Sequence, residues 1–251
     1  MNMIITTGKH SYMVEKIDDT IEVGSVVFIP ENKTWHMITA PGVMEAISDV
    51  EVEDAIKVST IEALTEAISA GGSVMLEADI DAPTAMPIVT DTKINLNGKT
   101  LTVKEDTVGD GVFKVTEGTL TIEGDGVING LGNNGWSMAI WATDNGKVVI
   151  NGGYFTNVGV HSEEDSEHYD LIYASVNGQI EINGGEFRCE TPKWTLNIKD
   201  NSRETASIVV KGGKFHGFNP ADCAVEGEYT NFVAPGYKVV ETDGIFTVVA
   251  E

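Results

Sequence analysis

The chain is short of cysteine and of arginine. Two cysteines, Cys189 and Cys223, in 251 residues make no disulfide framework. They pair only if neighbouring repeats bring them together, and free buried thiols are the expected state. Arginine occurs twice, as Arg188 and Arg203, and all bases number 16 against 39 acids, a formal charge of -23. A surface of that sign repels phosphate backbones and argues against nucleic acid as a partner. It also disfavours polyanions such as polygalacturonate unless Ca²⁺ intervenes. No apolar run reaches the roughly 18 residues of a membrane helix, so no membrane partner is expected. The opening MNMIITTGKHSYMVEK has no basic segment followed by an apolar core. No signal peptide is expected, and the reading is of a chain made and folded in the cytoplasm. The plainest use of the acidity is solubility.

What the chain does have is glycine, 27 residues of it, placed in a repeat. KVVINGGYF, Lys147 to Phe155, returns as TKINLNGKTL from Thr92, TLTIEGDGV from Thr119, QIEINGGEF from Gln179 and SIVVKGGKF from Ser207. Aligned on the Asn-Gly pair, the equivalent glycines are Gly98, Gly124, Gly152, Gly184 and Gly212, spaced 26, 28, 32 and 28 residues apart. A fixed period of this length marks a stack of like units. In each repeat two aliphatic residues stand two apart, such as Val148 and Ile150 or Ile180 and Ile182, which is the alternation of a half-buried strand. A second strand lies upstream, where AIWATDNG from Ala139 matches LIYASVNG from Leu171. The Gly corner supplies a positive φ. The expected fold is all-β, a right-handed parallel β-helix of about 28-residue coils stacked roughly 4.8 Å apart. Asn97, Asn151 and Asn183 should then form one corner ladder and Phe155, Phe187 and Phe215 one inner column. A β-sandwich rich in Asn-Gly hairpins is the rival, but its turn signals would recur every 8 to 12 residues or so.

Four regions follow. Residues 1–50 lack the repeat and read as a small β-rich module with Phe28, Trp35 and Met37 among its apolar residues. So small a module is marginal alone, which suggests an anchoring or oligomerisation role. Residues 51–70 form an acidic connector and a capping helix from Ser59, with Glu62 completing a capping box, Ile61, Leu64 and Ile68 on one face, and Gly71-Gly72 as the stop. Residues 71–216 are the β-helix. Residues 217–251 are a loop and a hairpin, YKVV and IFTVV, that closes the C-terminal end.

No catalytic constellation is visible. The densest acidic stretch, VHSEEDSEHYD, holds Glu163, Asp165 and Asp170 beside His161 and His168. These acids are the candidates for a Ca²⁺ site, which needs several oxygens converging on one point; a solvated acidic loop without cofactor is the plainer reading. Trp136, Trp141, Tyr173 and Trp194 are the candidate aromatic surface. Trp141 and Tyr173 occupy equivalent positions beside inward Ile140 and Ile172, so both should face outward, where such rings stack on sugars or pack against another subunit.

The run TIEALTEAISAGGSVMLEADIDAPTAMPIVTDTKINLNGKTLTV resembles the opening of pectin-lyase-like right-handed β-helices. The repeated INGGxF and the closing NFVAPGYKVVETDGIFTVV are similar to β-helix domains of gut-bacterial surface proteins and of bacteriophage fibres and tailspikes. The resemblance covers residues from about 60 to 251. It implies a non-enzymatic virion structural protein, a homotrimeric head fibre or capsid decoration on the virion surface. Such a protein would attach to the capsid or another virion protein through its N-terminal module and bind glycan. Two alternatives stay open: a polysaccharide lyase or glycoside hydrolase of the same fold, and a bacterial surface adhesin domain.

Overall fold

A computed structural model describes residues 3–7, 10–14, 16, 18, 20–22, 25–29, 34–46, 55–104, 110–131, 138–159, 169–227 and 230–251. The chain divides into two compact units, residues 1–53 and 54–251. The first is an antiparallel sheet of five strands in the order His10–Val14, Met3–Thr7, Val26–Ile29, Thr34–Ala40, Val43–Ala46. Its first two strands precede every segment in which the sequence showed a strand pattern. The core of this unit is Ile21, Val27 and Ile38, with Val14 and Met44 packed on it. Phe28 stands opposite Trp35 and Val26 opposite Met37 in the register, at the positions alternating with Val27 and Ile38. The side chains of Phe28, Trp35 and Met37 lie outside the described residues.

The second unit is built of three largely parallel sheets, and each of the five repeats from Gly72 to Ile198 gives one strand to each. The first sheet stacks Ile56–Val58, Gly72–Leu76, Thr92–Asn95, Thr119–Glu123, Lys147–Ile150, Gln179–Ile182 and Ser207–Val210. The second stacks Ile80–Ala82, Lys99–Val103, Gly126–Gly130, Tyr154–Thr156, Glu186–Arg188 and Gly213–His216. The third stacks Met86–Ile88, Phe113–Val115, Ile140–Ala142, Ile172–Ala174 and Leu196–Ile198. Because like residues fall on like residues, the core is a set of ladders. Val74, Ile94, Ile122, Ile150, Ile182 and Val210 form one, all buried. Phe155, Phe187 and Phe215 form the expected column, fully buried, with centroids 5.0 and 4.9 Å apart and ring planes within 12° and 9° of parallel.

Three expectations are corrected in register. Ile94 pairs with Ile122, not with Leu120, so along this ladder the intervals are 28, 28, 32 and 28 residues. The shorter first interval came from aligning Asn97-Gly98 with the later corners. Asn97 sits instead at φ 48° in a turn of its own, its Nδ2 donating to the Leu76 carbonyl at 2.9 Å, while Asn183 does donate to Asn151, at 3.0 Å. The corner glycines also divide their labour. Gly98 and Gly124 carry the expected positive φ, but in the last three repeats it falls one residue later, on Gly153, Gly185 and Gly213. Gly184, one residue earlier, is required because a Cβ there would lie 2.7 Å from the Asn151 carbonyl of the preceding repeat.

The ends of the sheets are closed in distinct ways. The helix Ile61–Ala70 packs on the first strands of all three sheets and buries Leu64, Ala67 and Ile68. Its N-cap is Thr60 rather than Ser59, because the Thr60 side chain accepts from the Ala63 N–H. Ahead of it, Ile56–Val58 joins the first sheet, so the connector ends sooner than expected. Pro87 sits in the first strand of the third sheet, an edge where the missing N–H costs no ladder bond. At the other end the hairpin Tyr237–Thr242 and Ile245–Ala250 pairs antiparallel with Gly213–His216. Its two-residue turn, Asp243 and Gly244 at φ 52° and 77°, has the geometry that suits the twist of a hairpin.

Candidate functional site

The outward residues of the third sheet form one column, Pro87, Lys114, Trp141, Tyr173 and Asn197. The register equivalence of Trp141 and Tyr173 is as expected, but their exposure is not. Lys114 Nζ lies 4.3 Å from the Trp141 ring centroid and 2.9 Å from Asp110 Oδ1. The Trp141 indole N–H donates to Ser175 Oγ at 2.9 Å, and Ser175 donates to Thr143 Oγ1 at 3.0 Å. Tyr173 tilts at 53° to Trp141 with centroids 6.1 Å apart and is only 8% exposed. Neighbouring side chains therefore satisfy these two rings, and they do not form a bare aromatic face. Trp136 lies outside the described residues.

Trp194 has a different setting. It ends the short 3-10 turn Pro192–Trp194 just before the last strand of the sheet and is half-buried. With Tyr173 it lines a groove of about 410 Å³ that also takes in Asn197, Ile198, Lys199 and Asp200. Two buried carboxyl groups hold the strand that lines it. Asp170 accepts from Asn197 Nδ2 at 2.7 Å, and Glu226 accepts from the Ile198 N–H at 3.0 Å. That second bond satisfies a backbone donor on the last strand of the sheet. Arg203 ties the arrangement together, with Nε 3.4 Å from Glu226 Oε2 and Nη2 2.9 Å from Asp200 Oδ1.

Burial governs the electrostatics. It pushes the Asp170 carboxyl up to about 7 against the Asn197 hydrogen bond, and the charge of Glu226 adds to the rise. Burial likewise raises Glu226, with the Ile198 N–H and Arg203 pulling the other way. The Tyr173 hydroxyl is pushed up to about 12 by burial first, then by Asp170, Glu226 and Asp200 in turn. Behind Asp170, the fully buried Asn157 donates to the Asp170 carbonyl and accepts from the Glu190 N–H. Neither cysteine is in a disulfide and both are buried, and burial raises the Cys189 thiol to about 12.

Of the acids proposed for Ca²⁺, Glu163 and Asp165, with His161 and His168, lie outside the described residues. Asp170 is committed to Asn197 and buried, a setting unlike the open oxygen cage of a calcium site. Among the described residues no group of three or more His, Cys, Asp or Glu is placed to hold a metal ion. No described helix is long and apolar enough to cross a membrane. Asn197 and Glu226 were not among the candidates drawn from the sequence. Asn197 was accessible in principle, by carrying the comparison of IWA with IYA one repeat further to LNI. Glu226 lies in a turn outside the period and gave no signal. No protein family, curated protein or solved structure matches the chain.

Proposed function

We propose that the chain is a non-enzymatic structural protein of a bacteriophage particle, a homotrimeric head fibre or capsid decoration on the virion surface. In this reading residues 54–251 form a right-handed parallel β-helix, and the first unit attaches to the capsid or another virion protein. The groove beside Trp194 binds glycan of the host or its surroundings. The observation that carries the reading is strand order: from Gly72–Leu76 to Gly213–His216 successive strands pass to three different sheets, and every third one returns to stack on its predecessor. That arrangement gives a long, rigid, repetitive body, joined in sequence to a separate antiparallel unit. A half-buried Trp beside amide and carboxylate groups suits a sugar, which offers an apolar ring face and a rim of hydroxyls. Asp170 and Glu226 bond inward to the strand that lines the groove, which favours binding over hydrolysis.

Light scattering coupled to size exclusion tests assembly. The whole chain should run at three times its 26.9 kDa, and residues 54–251 as a monomer. A monomeric whole chain would refute the trimeric appendage. A polysaccharide-degrading enzyme is the second reading, favoured by the raised Asp170 carboxyl. Release of reducing ends from a polysaccharide panel, lost in Asp170→Asn, would establish it.

A further inference from the structure

We infer that Asn151 is a site of spontaneous covalent modification: its side-chain amide condenses with the Gly152 backbone nitrogen to a cyclic imide, which water opens to aspartate or isoaspartate. Asn-Gly pairs are open to this reaction because glycine puts no Cβ beside the attacking nitrogen. Seven such pairs occur in the chain, and six of them lie among the described residues. The nitrogen can attack only when its N–H is released from any hydrogen bond. In four pairs that N–H is tied to a backbone carbonyl. Gly98 donates to Asp125, Gly146 to Thr143 at 2.9 Å, Gly178 to Ser175 at 2.9 Å and Gly184 to Ile150 at 3.2 Å. In a fifth, Gly130 is buried inside the strand Gly126–Gly130. Gly152 differs. The Ile122 carbonyl is taken by the Asn151 N–H at 2.9 Å, and among the described residues the Gly152 N–H has no acceptor.

The electrophile is prepared as well. Asn151 is exposed, and its Oδ1 accepts from Asn183 Nδ2 at 3.0 Å. That donor sits on the oxygen that becomes the oxyanion when the nitrogen adds, and it stabilises the charge. Asn151, Gly152 and Gly153 line an open groove of about 450 Å³, so water reaches both the proton that leaves and the imide that forms. The atoms balance without an oxidant or a cofactor. The Gly152 nitrogen bonds to Asn151 Cγ and gives its proton to solvent, and the amide nitrogen takes up a proton and leaves as ammonia. Water then adds to one imide carbonyl and breaks its bond to nitrogen. Opening at Cγ gives aspartate; opening at the main-chain carbonyl gives isoaspartate, with the chain running through the former side chain. Both products place a carboxylate at this corner. Isoaspartate also adds a main-chain carbon, where Gly184 of the next repeat stacks too closely on the Asn151 carbonyl to admit even a Cβ.

The test is peptide mapping by mass spectrometry, with fragmentation to locate each site, on the whole protein held for weeks at mildly alkaline pH. Aspartate and isoaspartate should accumulate at Asn151 roughly tenfold faster than at Asn97, Asn145, Asn177 or Asn183, about the factor that one hydrogen bond on the attacking nitrogen is worth. In concentrated urea the same pairs should convert at like rates, because the selectivity belongs to the fold and not to the dipeptide. Asn183→Ala, which removes the donor to Asn151 Oδ1, should slow conversion at Asn151 severalfold and leave Asn97 and Asn145 unchanged. Equal rates in the folded protein overturn the inference, as does earlier conversion at one of the four pairs with a bonded glycine. An Asn151 that stays intact in the folded protein while the unfolded chain converts overturns it too.

Discussion

Replacing Asp170 by Asn should make the second unit more stable at neutral pH, and the gain should vanish in acid. In the folded chain burial lifts the Asp170 carboxyl from its ordinary 3.8 to about 7. Because the folded pKa lies above the unfolded one, the fold binds this proton more tightly than the open chain does. Well below pH 3.8 both states are protonated, and the group contributes nothing to the pH dependence. As pH rises toward 7 the unfolded chain gives up its proton first, and stability falls by about 1.4 kcal/mol per pH unit. Above pH 7 both states are ionised, and the loss levels off at roughly 4 kcal/mol because the folded and unfolded pKa values stand about three pH units apart. Asparagine cannot ionise, and its amide oxygen still accepts from Asn197 Nδ2, so Asp170→Asn escapes most of that loss. The change also removes a like charge from beside Glu226. Urea unfolding of wild type and Asp170→Asn, followed by tryptophan fluorescence at pH 5, 6, 7 and 8, reads the difference directly. Acids remote from Asp170 titrate alike in both proteins and cancel, while the relief of Glu226 adds to the divergence. The two stabilities should diverge with rising pH, the variant being the more stable by about 2 to 4 kcal/mol at pH 8. Parallel curves would mean that Asp170 is hydrated or cation-paired, and the description of a buried acid behind the groove would be wrong.

Substitutions at four further positions probe the stack. Phe187→Ala removes the middle ring of the buried column and should cost about 4 kcal/mol in urea unfolding, whereas Phe187→Leu should cost less than half as much. Gly184→Ala places a Cβ 2.7 Å from the Asn151 carbonyl and should cost about 2 kcal/mol; at Gly98, where the space is open but φ is +71°, alanine should cost only about 1 kcal/mol. Val176 is β-branched, 44% exposed and held at φ 57°, where the equivalent turn has Asp144 at φ 54°. Val176→Asn should therefore raise stability by about 1 kcal/mol, visible as a higher melting temperature, and a lower one would show that the valine side chain contributes more by packing than its backbone strain costs.

The stack was legible in the sequence for the reason that makes it stable. Parallel strands in register place each residue on its counterpart one repeat away, so Ile122, Ile150 and Ile182 must be alike, and the spacing of like residues reports the architecture. The same logic explains the slip at the first repeat. Asn97-Gly98 imitates the later corners, but the residue stacked beneath Gly124 is Leu96, and only the pairing of Ile94 with Ile122 reveals it. The candidate groove was hard to see because it is made where the period fails. Trp194 lies in a 3-10 turn in the connection that leads into the last strand of the third sheet, and Asp200 lies in another beyond that strand. Glu226 arrives from a third, beyond the last repeat, to hold the Ile198 N–H. Exposure misled for a related reason. Trp141 and Tyr173 face outward as strand alternation requires, yet Lys114 from the repeat before and the side chains around Tyr173 cover them. Alternation fixes the side of the sheet on which a residue stands. Whether that side is open depends on neighbours about 28 residues away in sequence.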